Sequence, residues 1–179
     1  AAKNPFPGIG SVEPAKRRPG GAARLVAARV ARERIGQVCA VRRMGGRVGI
    51  LQRRRIGAEQ VGDLEVRGAE LTATTIHSKE VPLLVDELPL FALLASQARG
   101  ESWVYGAGEL RHKETDRIEA VVDAVRAIGG RIKGPDEGFS VTGVPTRPKG
   151  GKVDARGDHR IAMLGAVAGL ASCEGVEVL

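Results

Sequence analysis

Six of the seven residues from 111 to 117 are ionisable, a density of charge that could hold and protonate an anionic ligand. They are Arg111, His112, Lys113, Glu114, Asp116 and Arg117. A helix is predicted to begin here, and the free N–H groups of a helix N-terminus attract phosphate or carboxylate groups. Lys113 and Arg117 are spaced one helical turn apart, so we expect both to point toward such a ligand, with the acids Glu114 and Asp116 available for proton transfer nearby. The alternative is a solvated charged face with acidic residues in the first helical turn.

Two further predicted helix starts also carry clusters of charge. Asp86 and Glu87 precede an apolar helix, and Asp158, His159 and Arg160 precede a helix rich in small residues. Each aspartate could simply cap its helix. If the three helix starts converge, however, their N–H groups and side-chain cations would form a strong anion site. We therefore expect one shared, solvent-accessible surface to be formed by Asp86, Lys113, Glu114, Arg117 and Arg160.

The helices that must position these residues are predicted from apolar spacing and from helix breakers. The helix after the charged run ends at glycines 129–130 and has one apolar face, formed by Ile118, Val121, Val122, Val125 and Ile128. The segment 81–98 is apolar nearly all round, which predicts a buried helix. Pro89 fits a first turn, so this helix is expected to begin near residues 86–88, with Asp86 near its N-cap. A third helix is predicted over residues 161–171.

The predicted elements recur in the order strand, helix, strand, helix, strand, strand. The segment "VRRMGGRVGI" around Met44 is echoed by "VRAIGGRIKG" around Ile128, and in both a helix ends at a Gly-Gly pair before two strands. The segment "ALLAS" is likewise echoed by "AGLAS", each leading from a helix into a strand. This repeat predicts an α/β (α+β) fold in which each unit covers the apolar face of its neighbour. The last predicted strand reaches Leu179, which suggests an incomplete unit.

The amino-acid composition limits the classes of protein to which this chain can belong. The chain has 179 residues, of which 42% are hydrophobic and 3% aromatic, so its core must be aliphatic. Cys39 and Cys173 form no C-x-x-C pair, so neither a disulfide framework nor a metal site is expected. No apolar run approaches the roughly 20 residues of a membrane helix. The first ten residues lack the pattern of a signal peptide. We therefore expect a soluble, cytoplasmic protein without a membrane partner.

The net charge of +7 is concentrated in the first third of the chain. Residues 1–56 hold 14 of the 28 Lys and Arg but 2 of the 21 Asp and Glu. One interpretation of this concentration of positive charge is a basic nucleic-acid-binding module. Phe6 is the single aromatic residue there, however, and no recognition-helix pattern is evident, so no nucleic-acid partner is expected. Residues 1–31 are rich in Pro, Gly, Ala and Arg, which predicts a poorly ordered segment.

Three motifs, in order and spacing, closely resemble the 5-enolpyruvylshikimate-3-phosphate synthase (3-phosphoshikimate 1-carboxyvinyltransferase) family. They are "VDELPLFALLA" from Val85, "ELRHKETDRI" from Glu109 and "GDHRIAMLGAVAGLA" from Gly157. The resemblance implies two domains, each of three βαβαββ units with buried helices and outer sheets. It extends over residues 32–179, which would form an incomplete C-terminal domain. Residues 1–31 do not match.

The resemblance also implies a reaction and the residues that perform it. An enolpyruvyl group would pass from phosphoenolpyruvate to the 5-hydroxyl of shikimate 3-phosphate, a step toward chorismate and aromatic amino acids, with no cofactor. Asp86 matches the family's proton acceptor and Glu114 its proton donor. The matching substrate-binding residues are Glu109, Lys113, Arg117, His159 and Arg160.

Several groups of the family have no counterpart in this sequence. The missing groups include an N-terminal lysine, serines and arginine, a serine-serine-glutamine loop and a late lysine. We therefore expect the missing N-terminal domain to be a partner and the isolated chain to be inactive. The alternatives are a UDP-N-acetylglucosamine enolpyruvyl transferase, which shares the fold and the donor, and a non-catalytic remnant of the fold.

Overall fold

The computed structural model of the chain describes residues 35–56, 59–134 and 136–179. The predictions made for residues 1–31 lie outside these ranges. The described elements, in chain order, are α1 (Ile35–Arg43), β1 (Arg47–Ile56), β2 (Glu59–Arg67), β3 (Thr75–Ile76), α2 (Leu88–Ser96), β4 (Gly100–Tyr105), α3 (Arg117–Ala127), β5 (Arg131–Lys133), β6 (Gly138–Gly143), β7 (Gly151–Val153), α4 (His159–Ala171) and β8 (Val176–Val178). Short 3-10 turns cover Val81–Leu83 and Gly108–His112.

One complete βαβαββ unit runs from β3 to β6. Its four strands form a sheet in the order β3-β4-β6-β5, in which β3 and β4 are parallel and the other neighbours antiparallel. Before it, α1 leads into the antiparallel β1-β2 pair, and after it β7, α4 and β8 form a parallel βαβ arrangement. The recurring order of elements predicted from the sequence is therefore confirmed, as is the mixed helix and strand class.

The helices pack against the four-stranded sheet and against one another. The apolar face predicted for α3 is buried at Ile118, Val121 and Val125. These residues share one core with apolar residues of α2, α4 and β6, namely Leu88, Ala92, Ile161, Leu164, Phe139 and Val141. Because α2, α3 and α4 all contact one another, their N-terminal ends can lie close together. No helix among the described residues has both the length and the apolar character needed to cross a membrane.

The predicted start of α2, near residues 86–88, is confirmed. The helix begins at Leu88, with Glu87 rather than Asp86 at the N-cap position and Pro89 in the first turn. The Val81–Leu83 turn precedes it, and the Leu88 N–H donates to the Leu84 carbonyl, so the chain already curves before the helix starts. Asp86 therefore lies just outside the helix, where its carboxylate is available to other elements.

Candidate functional site

A side-chain cap sets the start of α3. The Asp116 carboxylate accepts a hydrogen bond of 3.1 Å from the Glu119 N–H, which satisfies one of the free donors of the first turn. Arg117 is consequently the first helical residue, and its side chain is 1% exposed. Lys113 and Glu114 lie before the helix, Lys113 in extended backbone. The expectation that Lys113 and Arg117 lie one turn apart on the same helix is therefore wrong, because the Asp116 cap starts the helix after Lys113.

A second cap sets the start of α4. Asp158 is fully buried, and its Oδ1 accepts a hydrogen bond of 2.8 Å from the Arg160 N–H. His159 is exposed at the first helical position. Arg160 follows in the first turn, with its side chain 27% exposed. The cap thus fixes the direction in which Arg160 leaves the helix.

Carboxylates from three segments converge on Arg117. Its Nε donates to Asp158 Oδ2 at 2.8 Å, its Nη1 to Asp86 Oδ1 at 3.2 Å, and its Nη2 to Glu114 Oε2 at 2.5 Å. A further contact from Nη2 reaches Asp158 Oδ1 at 3.4 Å. The guanidinium is therefore held by charge-assisted bonds on every side, which are stronger than bonds between neutral groups.

Asp86 joins the two arginines. While its Oδ1 accepts from Arg117, its Oδ2 accepts from Arg160 Nη2 at 2.8 Å. The Nη1 of Arg160 also lies 3.7 Å from Glu87 Oε2. The Arg160 Nε is buried and has no hydrogen-bond partner within the described part of the chain. We refer to Asp86, Glu114, Arg117, Asp158 and Arg160 as the arginine cluster.

The electrostatics of the cluster keep its buried pair ionised. Burial by itself would raise the pKa of Asp158, but hydrogen bonds from Arg117 and from the Arg160 N–H, with the charge of Arg117, hold that pKa below its ordinary value. Burial by itself would lower the pKa of Arg117, but Asp158, Glu114 and Asp86 raise it. Both groups are therefore charged at neutral pH.

The structure thus brings together four of the residues predicted to share a surface, namely Asp86, Glu114, Arg117 and Arg160. Arg117 itself is buried, so the accessible part of the cluster is formed by Asp86 and Glu114, whose side chains are 47% and 51% exposed, and by the partly exposed Arg160. The other candidates are Glu109, Lys113 and His159. All three are exposed, and in the described ranges none hydrogen-bonds to the cluster.

Two residues of the site were not assigned a binding role from the sequence. From the sequence, Asp158 is predicted as a possible helix cap, and Thr115, whose hydroxyl donates to Asp158 Oδ2 at 3.3 Å, carries no sequence signal for a binding role. The sequence does contain one signal that could have indicated this role: the cap residue Asp158 is followed directly by charged residues. Sequence alone does not show that the cap of α4 meets the first residue of α3.

The opposite ends of the same helices line a different cavity. A cleft of about 470 Å³ lies beside the C-terminal ends of α2 and α3 and the turn after α4. Its lining includes Gln97, Gly129 and Glu174 and none of the cluster residues. Helix C-termini carry partial negative charge, but the lining also includes the cationic residues Arg131, Arg147 and Lys149. Within the described ranges, no group of three or more His, Cys, Asp or Glu residues could hold a metal ion.

Comparison with known proteins gives consistent results. A family model described as EPSP synthase (3-phosphoshikimate 1-carboxyvinyltransferase) matches residues 21–179, which begins before the boundary near residue 32 that the motifs predict. The chain is 43% identical over 139 residues to a 3-phosphoshikimate 1-carboxyvinyltransferase of Syntrophomonas wolfei, covering 78% of this chain and 32% of the relative. A relative of the same name from Roseiflexus sp. is 41% identical, with 76% and 31% covered.

Comparison of the three-dimensional structure with solved structures agrees with the sequence comparison. A solved structure of EPSP synthase from Acinetobacter baumannii superposes with a TM-score of 0.79 and 28% identity, covering 86% of this chain and 36% of that one. The chain therefore spans about a third of the length of the proteins that it matches.

Proposed function

The chain belongs to the EPSP synthase (3-phosphoshikimate 1-carboxyvinyltransferase) family, and from this membership we propose its reaction. Together with an N-terminal domain, it transfers the enolpyruvyl group of phosphoenolpyruvate to the 5-hydroxyl of shikimate 3-phosphate and releases phosphate. The proposal places this step in the cytoplasm, on the route to chorismate and the aromatic amino acids. The observation that carries it is the convergence of Arg117 and Arg160, from two different helix starts, on the shared carboxylate of Asp86.

In this proposal the two arginines hold phosphoenolpyruvate. A guanidinium presents its N–H groups in a planar fork that matches the geometry of carboxylate and phosphate oxygens. The starts of α3 and α4 add their helix dipoles, which favour negative charge at the same place. Lys113 supplies a further cation beside both substrates. Glu109 is assigned to the side of the site that receives shikimate 3-phosphate, and His159 is assigned to substrate binding.

The exposed carboxylates are assigned to proton transfer. Asp86 takes the proton of the 5-hydroxyl of shikimate 3-phosphate while the hydroxyl oxygen attacks C2 of phosphoenolpyruvate. Glu114 gives a proton to the methylene carbon of phosphoenolpyruvate. The tetrahedral intermediate then loses phosphate and a methyl proton to restore the double bond. Because both side chains are about half exposed yet hydrogen-bonded to Arg117, they lie beside the anion-binding group and within reach of a ligand.

A chimera tests the proposal. The matching segment of the Syntrophomonas wolfei relative is replaced by that of this chain, and phosphate release is measured with both substrates. We expect turnover by the chimera and none by the isolated chain, because the chain spans about a third of the length of the relatives that it matches. Turnover by the isolated chain would contradict the half-site account. An inactive but folded chimera would favour a non-catalytic remnant, and transfer to UDP-N-acetylglucosamine instead would favour the sister activity.

Variants of the chimera then test the roles of single residues. Glu114→Gln should lower kcat by about 100-fold or more, with a smaller effect on KM, because a proton donor acts in the chemical step. Arg117→Ala should weaken the use of phosphoenolpyruvate by about 100-fold in kcat/KM. Glu101→Gln and Arg131→Ala change exposed residues outside the cluster and are the matched controls. Unchanged turnover in Glu114→Gln would remove Glu114 from the mechanism.

A further inference from the structure

Asp158 is the one member of the arginine cluster to which the proposed reaction gives no role. A helix cap does not require its negative charge, since Ser, Thr or Asn would also accept the N–H of Arg160. A carboxylate that is 0% exposed is costly to bury unless it is paired. Three donors besides that N–H reach its oxygens: Thr115 Oγ1 and the Nε and Nη2 of Arg117. The charge of Asp158 therefore serves Arg117 rather than the cap.

The carboxylate partners of Arg117 differ sharply in exposure. Asp158 is completely buried, whereas the side chains of Asp86 and Glu114 are about half exposed. An ion pair open to solvent contributes little and exchanges readily with water and with other anions. A buried pair is costly to break, because separation leaves an uncompensated charge in the interior. An arriving anion would thus compete with Asp86 and Glu114 and leave Asp158 in place.

The way Asp158 contacts the guanidinium leaves a usable edge for a ligand. Asp158 accepts from Nε–H and approaches one hydrogen on Nη2, so it occupies one side of the planar group. Nη1 and the second hydrogen on Nη2 face Asp86 and Glu114. Release of those two carboxylates would expose two parallel N–H donors, the arrangement that binds carboxylate or phosphate in bidentate form.

We propose that Asp158 is a positioning residue that fixes the Arg117 guanidinium, and that Asp86 and Glu114 are exchangeable partners which the anionic group of the substrate displaces. The identity of the anion rests on the proposed function, whereas the fixing of Arg117 does not. Through the N–H of Arg160, the same carboxylate also fixes the start of α4, so one buried group aligns both arginines.

The first test reads Arg117 directly and needs no ligand. In ¹⁵N-labelled chain, the Nε–H of Arg117 should give an NMR signal whose hydrogen exchange is slow. We expect Asp158→Asn to speed this exchange by about tenfold or more, since a charge-assisted bond is lost. Asp86→Asn and Glu114→Gln, which touch the other nitrogens, should leave it within about twofold. Retained protection in Asp158→Asn would overturn the positioning role.

The second test measures the affinity of each variant for phosphoenolpyruvate, and the direction of the change distinguishes Asp158 from the other two carboxylates. By charge alone, removing any of the three carboxylates near Arg117 should tighten the binding of an anion. We expect Asp86→Asn and Glu114→Gln to do so by a few fold and Asp158→Asn to weaken binding. Equal or tighter binding in Asp158→Asn would overturn the proposal.

A further variant and the ligand-free readout keep the tests decisive. If Asp158→Asn does not fold, Thr115→Val removes one hydrogen bond to the same oxygen and should shift both readouts in the same direction by a smaller amount. If the unmodified chain does not bind phosphoenolpyruvate, the proposed function fails at this site, and the Nε exchange measurement alone decides the role of Asp158.

Discussion

Replacing Arg117 with methionine tests whether the buried ion pair organises the fold at the helix starts. Methionine is similar in length and apolar, so it fills part of the space but leaves the Asp158 carboxylate without its charged partner. Asp158 is 0% exposed and would retain the Arg160 N–H and the Thr115 hydroxyl as donors. Removing one partner of a buried pair costs about 3–5 kcal/mol, and the two retained donors favour the lower end. We therefore expect a loss of about 3 kcal/mol in the free energy of unfolding, a large part of the total for a typical domain.

Urea unfolding followed by fluorescence measures this loss. Trp103 is the single tryptophan, and its ring stacks on Tyr105 in β4 with centroids 5.5 Å apart, so its emission should report the packing of the central sheet. A loss of 3 kcal/mol would lower the midpoint by about 1.5–2 M urea at a typical slope for a small protein. The matched control is Arg156→Met, which removes an exposed arginine paired with Glu119 and Asp123. Its expected cost is below about 1 kcal/mol.

A double variant separates the buried charge from the loss of packing. Adding Asp158→Asn to Arg117→Met replaces an unpaired buried charge with a neutral amide, so about 1–2 kcal/mol should be recovered relative to Arg117→Met alone. The reasoning would be refuted if Arg117→Met cost no more than Arg156→Met, or if the second substitution made the protein still less stable.

Three further predictions concern pH, capping and close packing. The pKa of Asp158 in the folded protein lies below its ordinary value of 3.8, so its contribution to stability should be full above about pH 5 and lost as the pH falls through the folded pKa. When the free energy of unfolding is measured against pH, Asp158→Asn should therefore lose less stability at acidic pH than the unmodified chain does. An identical loss in the two proteins would contradict this. Asp116→Ala should cost about 1 kcal/mol through loss of the α3 cap, while Asp116→Asn, which keeps an acceptor, should cost much less; equal costs would argue against the cap. A Cβ at Gly138 would overlap the Val104 carbonyl oxygen, whereas Gly68 has open space around it. In thermal unfolding, Gly138→Ala should therefore destabilise the protein by about 1–3 kcal/mol and Gly68→Ala by little. Similar melting temperatures of the two variants would show that β6 can move away from β4.

The fold was predictable where local residue patterns are decisive. The apolar spacing of α3 and its glycine pair placed that helix correctly, because 3.6-residue periodicity and a left-handed glycine such as Gly129 are local signals. Pro89 located the start of α2 to within a residue or two. The echo around Gly45 and Gly129 revealed the order of elements, since each pair ends a helix before two antiparallel strands.

The site was predictable only in part, because it depends on contacts between distant segments. The sequence suggested that three helix starts meet, and the hydrogen bonds between Asp86, Arg117 and Arg160 confirm this convergence. It did not reveal that Arg117 would be buried, since that burial depends on Asp158, 41 residues away in the chain. Lys113 was misplaced for a similar reason, because a cap at Asp116 starts the helix later than the run of charge suggested.

An NMR titration of this chain with phosphoenolpyruvate tests the central claim most directly, because it locates weak binding residue by residue. The account predicts saturable shifts in the backbone signals of residues 86–88, 114–117 and 158–160, with a Kd of about 1 mM or weaker for a half-site. The signals of residues 128–130, at the opposite cleft, should not move. Shifts confined to that cleft, or no saturable shift at the helix starts, would contradict the claim that the arginine cluster holds the anionic substrate.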